Sequence, residues 1–107
     1  MTTGTSVVVV LGRGRLDADP AHFAARAAAR RVRLRVLTLG YPVTGPQQAF
    51  VAKAVDRAFE VGVHLEASMV GDPDEVSADL GPLDEVTIVA AGREERRIGS
   101  VLARLPS

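Results

Sequence analysis

The sequence predicts an α/β fold, a three-layer sandwich in which helices cover both faces of a four-stranded parallel sheet. Short apolar runs rich in β-branched residues alternate along the chain with segments of helical periodicity. Glycine or proline marks most of the changes from one type to the other. Strands that alternate with helices form parallel sheets with right-handed crossovers, and we expect the strand order 3-2-1-4.

The composition is that of a single domain over residues 1–107, with 47% hydrophobic and 24% charged residues. A net charge of zero gives no field that favours nucleic acid or an anionic membrane. The lack of cysteine excludes a disulfide framework and a thiolate metal site. We expect a cytoplasmic protein, because the N-terminus lacks a basic signal region and the Val7–Leu11 run is too short to span a membrane.

The first half of the chain contains two strands and two long helices. The β-branched run Ser6–Leu11 predicts a buried first strand, and Asp19 followed by proline predicts a helix from Pro20 to about Arg31. The second strand, Arg33–Leu39, alternates only at its start, so one end should be more exposed. The second helix runs from Pro46 to about Val61. Its apolar face is predicted at helical spacing: Phe50, Val51, Ala54, Val55, Ala58, Phe59 and Gly62.

The second half repeats the alternation in shorter elements. Val63–Val70 is predicted to be the third strand, at an edge of the sheet. Asp72 caps a short third helix that starts at Pro73 and ends near Gly81. The run Val86–Ala91 is apolar throughout and predicts a fourth strand that is covered on both faces. The last helix is expected to begin at Ile98 or Gly99 and to end at Leu105.

Two basic, glycine-containing loops follow strands 1 and 4, at Gly12–Arg15 and Gly92–Arg97. In the order 3-2-1-4 these strands are neighbours at the topological switch point, where open α/β sheets bind ligands. Arginine clamps and a Gly-Ser helix start are typical of anion sites, so we expect a small phosphate- or carboxylate-bearing ligand there. Arg96 adds positive charge beside the loop. The candidate binding residues are Gly12, Arg13, Arg15, Gly92, Arg93, Arg97, Gly99 and Ser100.

Structural roles explain several of these residues equally well. The glycines suit tight turns, and Glu94 and Glu95 can neutralise the neighbouring arginines as local ion pairs of little energetic value. His22 and His64 lie in different elements, so no metal site is expected. Ser100 has no histidine partner in sequence reach, and the chain is therefore expected to be non-catalytic.

Three stretches resemble the universal stress proteins, an adenine-nucleotide-binding α/β family: Ala54–Glu66, Val70–Val76, and Val86–Gly92 with the later Gly99-Ser100. The resemblance implies a Rossmann-like fold of the adenine nucleotide α-hydrolase type, a regulatory role in stress response, ATP or AMP as ligand, and a homodimer. The chain departs from the family pattern at Glu95, which stands where a second glycine is expected. It also has Gly12-Arg13 where members carry an aspartate after strand 1.

Two alternatives remain open. Without the fifth strand of that family, strand 4 becomes an exposed apolar edge, so the chain is then an interaction module with a vestigial site that dimerises through strand 4. The segment Leu11–Pro20 also resembles the first loop of sirohydrochlorin-type chelatases, which implies a tetrapyrrole-binding protein. Arg13 stands where active chelatases carry a metal-binding histidine.

Overall fold

In the computed structural model, which describes residues 6–77, 80–81 and 83–103, four parallel strands form one sheet in the order β3-β2-β1-β4. The strands are β1 (Ser6–Leu11), β2 (Arg33–Leu39), β3 (Leu65–Val70) and β4 (Glu85–Val89). The helices are α1 (Pro20–Arg30), α2 (Gly45–Val61), α3 (Pro73–Ser77) and α4 (Gly92–Leu102). The predicted fold class and strand order are confirmed.

The central strand β1 separates two hydrophobic cores. Alternate residues of a strand point to opposite faces, so Val7, Val9 and Leu11 enter one core while Val8 and Val10 enter the other. Helices α1 and α2 cover the first core, and α3 and α4 cover the second. All six residues of β1 are buried, as the β-branched run predicts. This arrangement leaves β3 and β4 as the two edges of the sheet.

A buried glutamine joins the carboxyl ends of β1 and β2. The Gln47 side chain is fully buried, and its Nε2 donates to the carbonyl oxygens of Leu11 at 3.2 Å, Gly12 at 3.0 Å and Leu39 at 3.0 Å. Its Oε1 accepts from the Thr44 N–H, at 2.9 Å, in the capping box that starts α2. A residue of the first turn of α2 therefore also holds the carboxyl ends of β1 and β2 together.

The buried stripe of α2 is narrower than predicted. Phe50, Ala54 and Ala58 are buried at the expected four-residue spacing. The prediction that Val55 and Phe59 join them is wrong, since they are 46% and 87% exposed. They continue the helical row of Val51, which lines a groove together with residues of β3. This ridge therefore lies on the side of α2 toward β3, the last strand at that edge. No further strand covers the ridge among the described residues.

Helix α4 begins at Gly92, and the prediction that it begins at Ile98 or Gly99 is wrong. Gly92 has a φ of +59°, which lets the chain turn sharply from β4 into the helix. The two glutamates that follow suit a first helical turn, where negative charge is stabilised by the helix dipole. The predicted basic loop is therefore the opening of the helix. Its predicted end at Leu105 lies outside the described residues.

Smaller differences concern the other boundaries. β3 begins at Leu65 rather than Val63, and β4 ends at Val89 rather than Ala91. Asp19 caps α1 as predicted, accepting from the Ala21 N–H at 3.0 Å. The prediction that α3 ends near Gly81 is wrong, since the described helix is Pro73–Ser77 and neither Leu80 nor Gly81 is helical. Residues 78 and 79 lie outside the described residues.

We expect Gln47→Ala to lower the free energy of unfolding by about 2–4 kcal/mol, because it leaves buried carbonyl groups without their donor. The matched control is Gln48→Ala, which changes an exposed neighbour on the same helix and should cost within about 0.5 kcal/mol. Urea unfolding measures both. An equal loss in the two variants would contradict the bridging role of Gln47.

An acid-sensitive ion pair fastens α1 to the start of β4. Glu85 accepts hydrogen bonds from Arg26 and, at 2.6 Å, from Nη1 of Arg30. The hydrogen bond from Arg26 lowers the pKa of Glu85 below its ordinary 4.5; partial burial opposes this, and the positive charges of both arginines lower it further. A carboxyl with a lowered folded-state pKa stabilises the fold above its unfolded pKa, and this stabilisation is lost as the pH falls through the folded pKa.

Glu85→Gln should therefore flatten the acid side of the stability curve. Thermal unfolding followed by circular dichroism from about pH 6 to about pH 3 should show a smaller fall in Tm for the variant than for the parent. Glu95→Gln, at an exposed position on α4, should keep the parent's fall. An equal fall in Tm with pH for the parent and for Glu85→Gln would show that Glu85 does not contribute to the acid sensitivity.

Candidate anion site

The carboxyl ends of β1 and β4 lie side by side, as the strand order requires. The Gly12 N–H donates to the Val89 carbonyl oxygen at 2.9 Å, which extends the pairing of β1 with β4 by one residue. The β1 loop, Gly12–Arg15, therefore meets the first turn of α4 at the switch point of the sheet. The predicted adjacency of strands 1 and 4 is confirmed, but the second basic segment is the start of a helix and not a loop.

A carboxylate from the chain itself occupies this meeting point. The Arg13 N–H donates to Oε2 of Glu94 at 2.7 Å, and the Gly14 N–H donates to Oε1 at 3.3 Å. We call these two backbone N–H groups the N–H cradle. A Cβ at Gly12 would lie 2.5 Å from Oε1 of Glu94 and 2.7 Å from the Ala90 Cβ. Only glycine at position 12 lets the Glu94 side chain approach so closely.

The β1 loop arginines bond to residues other than those of α4. Nη1 of Arg13 donates to the Leu39 carbonyl oxygen at 3.0 Å, and its guanidinium fills the space beside Gly40. Arg15 pairs with Asp17 at 2.9 Å, with both side chains well exposed. An exposed pair of this kind contributes little to stability. The loop therefore presents its backbone, not its guanidinium groups, to the start of α4.

The arginines of α4 lie on its solvent side. Arg93, Arg96 and Arg97 are exposed, and their spacing of three and four residues puts them on one face. None of the three side chains makes a hydrogen bond or ion pair with another described residue. Glu94 and the buried Ile98 are four residues apart and share the face toward the sheet. The helix thus directs the Glu94 carboxylate inward and its arginines outward.

Gly99 and Ser100 do not cap a helix. They lie within α4, about 10 Å along the axis from its first residue at 1.5 Å per residue. Gly99 faces β4, with the nearest atom to a Cβ there being Cδ1 of Ile88 at 3.9 Å. The residue at the cap is Ala91, whose side chain makes no capping hydrogen bond. The structure does not bring Gly99 and Ser100 to the N–H cradle.

Two polar residues of this edge were not predicted, Glu94 and Gln47. The order of charges in Glu94-Glu95-Arg96-Arg97, acidic then basic, is typical of a helix start and marks the true beginning of α4. The spacing of Thr44 and Gln47 is that of a capping box, which places Gln47 in the first turn of α2. Neither pattern alone predicts the long-range partner of the side chain.

No family model, curated protein or solved structure matches this chain in the comparisons with known proteins. Membership of the universal stress protein family therefore stays a prediction. Within residues 6–77, 80–81 and 83–103, no helix has the length and hydrophobicity to cross a membrane. In the same ranges, no three histidine, aspartate or glutamate side chains are grouped to hold a metal ion.

Glu94→Ala should lower the free energy of unfolding by about 1–2 kcal/mol, because hydrogen bonds to an ionised group are lost at two backbone N–H groups. Glu95→Ala removes the neighbouring exposed carboxylate from the same helical turn and should cost within about 0.5 kcal/mol. Chemical denaturation of both variants at neutral pH makes the comparison. Equal stability of the two would show that Glu94 does not hold the β1 loop.

Proposed function

We propose that the protein is a non-catalytic regulatory module that binds a phosphate-bearing anion in the crevice between β1 and β4. The supporting observation is the N–H cradle of Arg13 and Gly14, which already holds a carboxylate. Carboxylate and phosphate oxygens accept the same hydrogen bonds from backbone N–H groups arranged in a turn. The resemblance to universal stress proteins makes ATP or AMP the first ligands to test.

In this proposal Glu94 is an internal competitor for the ligand. A tethered group acts at an effective concentration in the millimolar range or above, so an external anion must displace it. Displacement frees the Glu94 side chain at the start of α4 and breaks its link to the β1 loop. Ligand binding would thus change the contact between two elements of the fold, which is the kind of change a regulatory module requires.

The candidate residues divide into two groups by their distance from the cradle. Gly12, Arg13 and Gly92 lie at the meeting point of the β1 loop and α4, so they are proposed to contact the anion directly. Arg15 and Arg93 are exposed nearby and add favourable charge. Three residues lie further along α4 and take part only if the ligand extends along that helix: Arg97, Gly99 and Ser100.

Isothermal titration of the parent chain and of Glu94→Ala with ATP, AMP, pyrophosphate and phosphate tests the proposal. The Glu94→Ala variant should bind at least one of these anions about tenfold or more tightly than the parent, because the internal competitor is gone. Glu95→Ala removes the same charge without opening the cradle and should bind like the parent. A circular dichroism spectrum identical to the parent's establishes that Glu94→Ala is folded.

Two outcomes would contradict this function. Silence of the parent and of Glu94→Ala with all four anions would exclude a phosphate site at the crevice. An equal gain in affinity for Glu94→Ala and Glu95→Ala would indicate a general charge effect on the exposed arginines of α4.

The occupation of the N–H cradle by Glu94 also supports a second candidate, an interaction module whose ligand site is vestigial. In that case Glu94 permanently fills the crevice, and the module acts by binding another protein surface. Dimerisation through the edge strand β4, where Val86, Thr87 and Ile88 are half-buried, remains a proposal. Tetrapyrrole binding and a cytoplasmic location also stay predictions, because no contact among the described residues tests them.

A further inference from the structure

The edge of the molecule at β3 carries an exposed apolar ridge on α2. Val51, Val55 and Phe59 follow one another at four-residue spacing and therefore form one ridge of the helix. Phe59 is 87% exposed and Val55 is 46% exposed, although both are large hydrophobic residues. On β3 itself, Met69 is 58% exposed and Ala67 is also exposed. An apolar ridge beside an open sheet edge is typical of an interaction surface.

The backbone of β3 offers unpaired groups to the same side. The Leu34 N–H donates to the His64 carbonyl, and the Gly40 N–H donates to the Val70 carbonyl. Even-numbered residues of β3 therefore bond toward β2, and the alternation of strand backbone turns the N–H and C=O groups of Leu65, Ala67 and Met69 outward. These three residues form a free pairing edge.

A groove of about 380 Å³ opens between α2 and β3 at the carboxyl end of the strand. Its walls include Val51 and Ala52 of α2 and Ala67 and Met69 of β3, and most of the lining is apolar. Phe59 lies two helical turns away, near the other end of α2. The same surface thus carries a protruding aromatic ring at one end and an apolar groove at the other.

We propose that this surface binds a second copy of the chain, with β3 pairing antiparallel to β3 of the other copy about a two-fold axis at Ala67. Leu65 would lie opposite Met69 of the second copy, and Ala67 opposite itself. The two sheets would join into one continuous sheet, with both α2 helices on the same face. Each Phe59 would enter the groove of the other copy.

The spacing of the residues supports a two-fold arrangement. Val51 and Phe59 lie about 12 Å apart along α2, with Val55 midway between them. Leu65 and Met69 are equally far from Ala67, about 13 Å apart along β3. Because α2 runs antiparallel to the strands, an axis through Ala67 exchanges the Phe59 end of the ridge with the groove end. A self-complementary surface of this kind is what a two-fold dimer requires.

Charge also favours a second copy. On the other face of the paired strands, Glu66 would lie opposite the uncharged Ser68, so no like charges oppose each other in the pairing. The charged residues of α2 lie off the ridge: Lys53, Asp56, Arg57 and Glu60. Phe59 alone can bury roughly 150–250 Å². A standard interface buries roughly 800 Å² per subunit, so the rest of the ridge and the strand edge must contribute the larger part of the contact.

Sedimentation equilibrium and size-exclusion chromatography with light scattering test the proposal across a range of protein concentrations. The parent should form a dimer of twice the 11.3 kDa chain mass. Phe59→Ser and Ala67→Glu should each weaken dimerisation about tenfold or more, since one removes the ring and the other places two carboxylates face to face. Leu83→Ser changes an equally apolar, 72% exposed residue before β4 and should leave the dimer intact.

A charge-swap experiment tests the register itself. Ala67→Glu and Ala67→Lys should each dimerise more weakly than the parent when alone. An equimolar mixture should recover a heterodimer, because Ala67 faces Ala67 at about 5.5 Å between Cα atoms. A monomeric parent at all concentrations would overturn the proposal. A dimer that survives Ala67→Glu and is lost on Thr87→Glu would also overturn it and assign the contact to β4.

Discussion

The carboxyl edge of the sheet is organised around the hydrogen bonds from the Arg13 and Gly14 N–H groups to the Glu94 carboxylate. They join a loop after the first strand to a helix after the last strand, across the switch point where α/β sheets bind ligands. The loop N–H groups there need a hydrogen-bond acceptor, and an ionised one gives the stronger bond. The chain supplies that acceptor itself, through the Glu94 carboxylate, and the proposed anion site lies at this contact.

The backbone carbonyl groups at the same edge of the sheet also have hydrogen-bond partners. Gln47 donates to carbonyl groups at the ends of β1 and β2, and Arg13 donates to the Leu39 carbonyl that Gln47 also contacts. The backbone carbonyl groups thus accept hydrogen bonds from side-chain amide and guanidinium groups, while the backbone N–H groups donate to a carboxylate. In the proposed function an external anion therefore has to displace one of these contacts, and the displacement of Glu94 distinguishes a binding module from a vestigial site.

Local sequence patterns predicted the parts of the fold that depend on local physics. The β-branched run of β1 predicted a buried central strand, and the alternation of elements predicted the order 3-2-1-4, both of which the structure confirms. The start of α4 was mistaken because Gly99-Ser100 looks like a helix cap, whereas the charge order after Gly92 determines where the helix begins.

Long-range partners were not predictable in the same way. Phe59 fits the helical periodicity of a core residue, and its exposure follows from the position of α2 over the edge strand β3. Glu94 was interpreted as a neutraliser of neighbouring arginines, whereas its partners lie 80 and 81 positions earlier in the chain. Such contacts depend on how crossovers bring distant segments together, and a single sequence carries no local signal for them.

Amide hydrogen exchange at Arg13 and Gly14, followed by nuclear magnetic resonance, measures whether Glu94 occupies the N–H cradle. If Glu94 holds the N–H cradle, both amides exchange slowly in the parent and at least about tenfold faster in Glu94→Ala, and saturating pyrophosphate slows them again in the variant. Exchange at both amides that is equally fast in the parent and in Glu94→Ala would show that the carboxylate does not occupy the cradle, and the anion site would have to be abandoned.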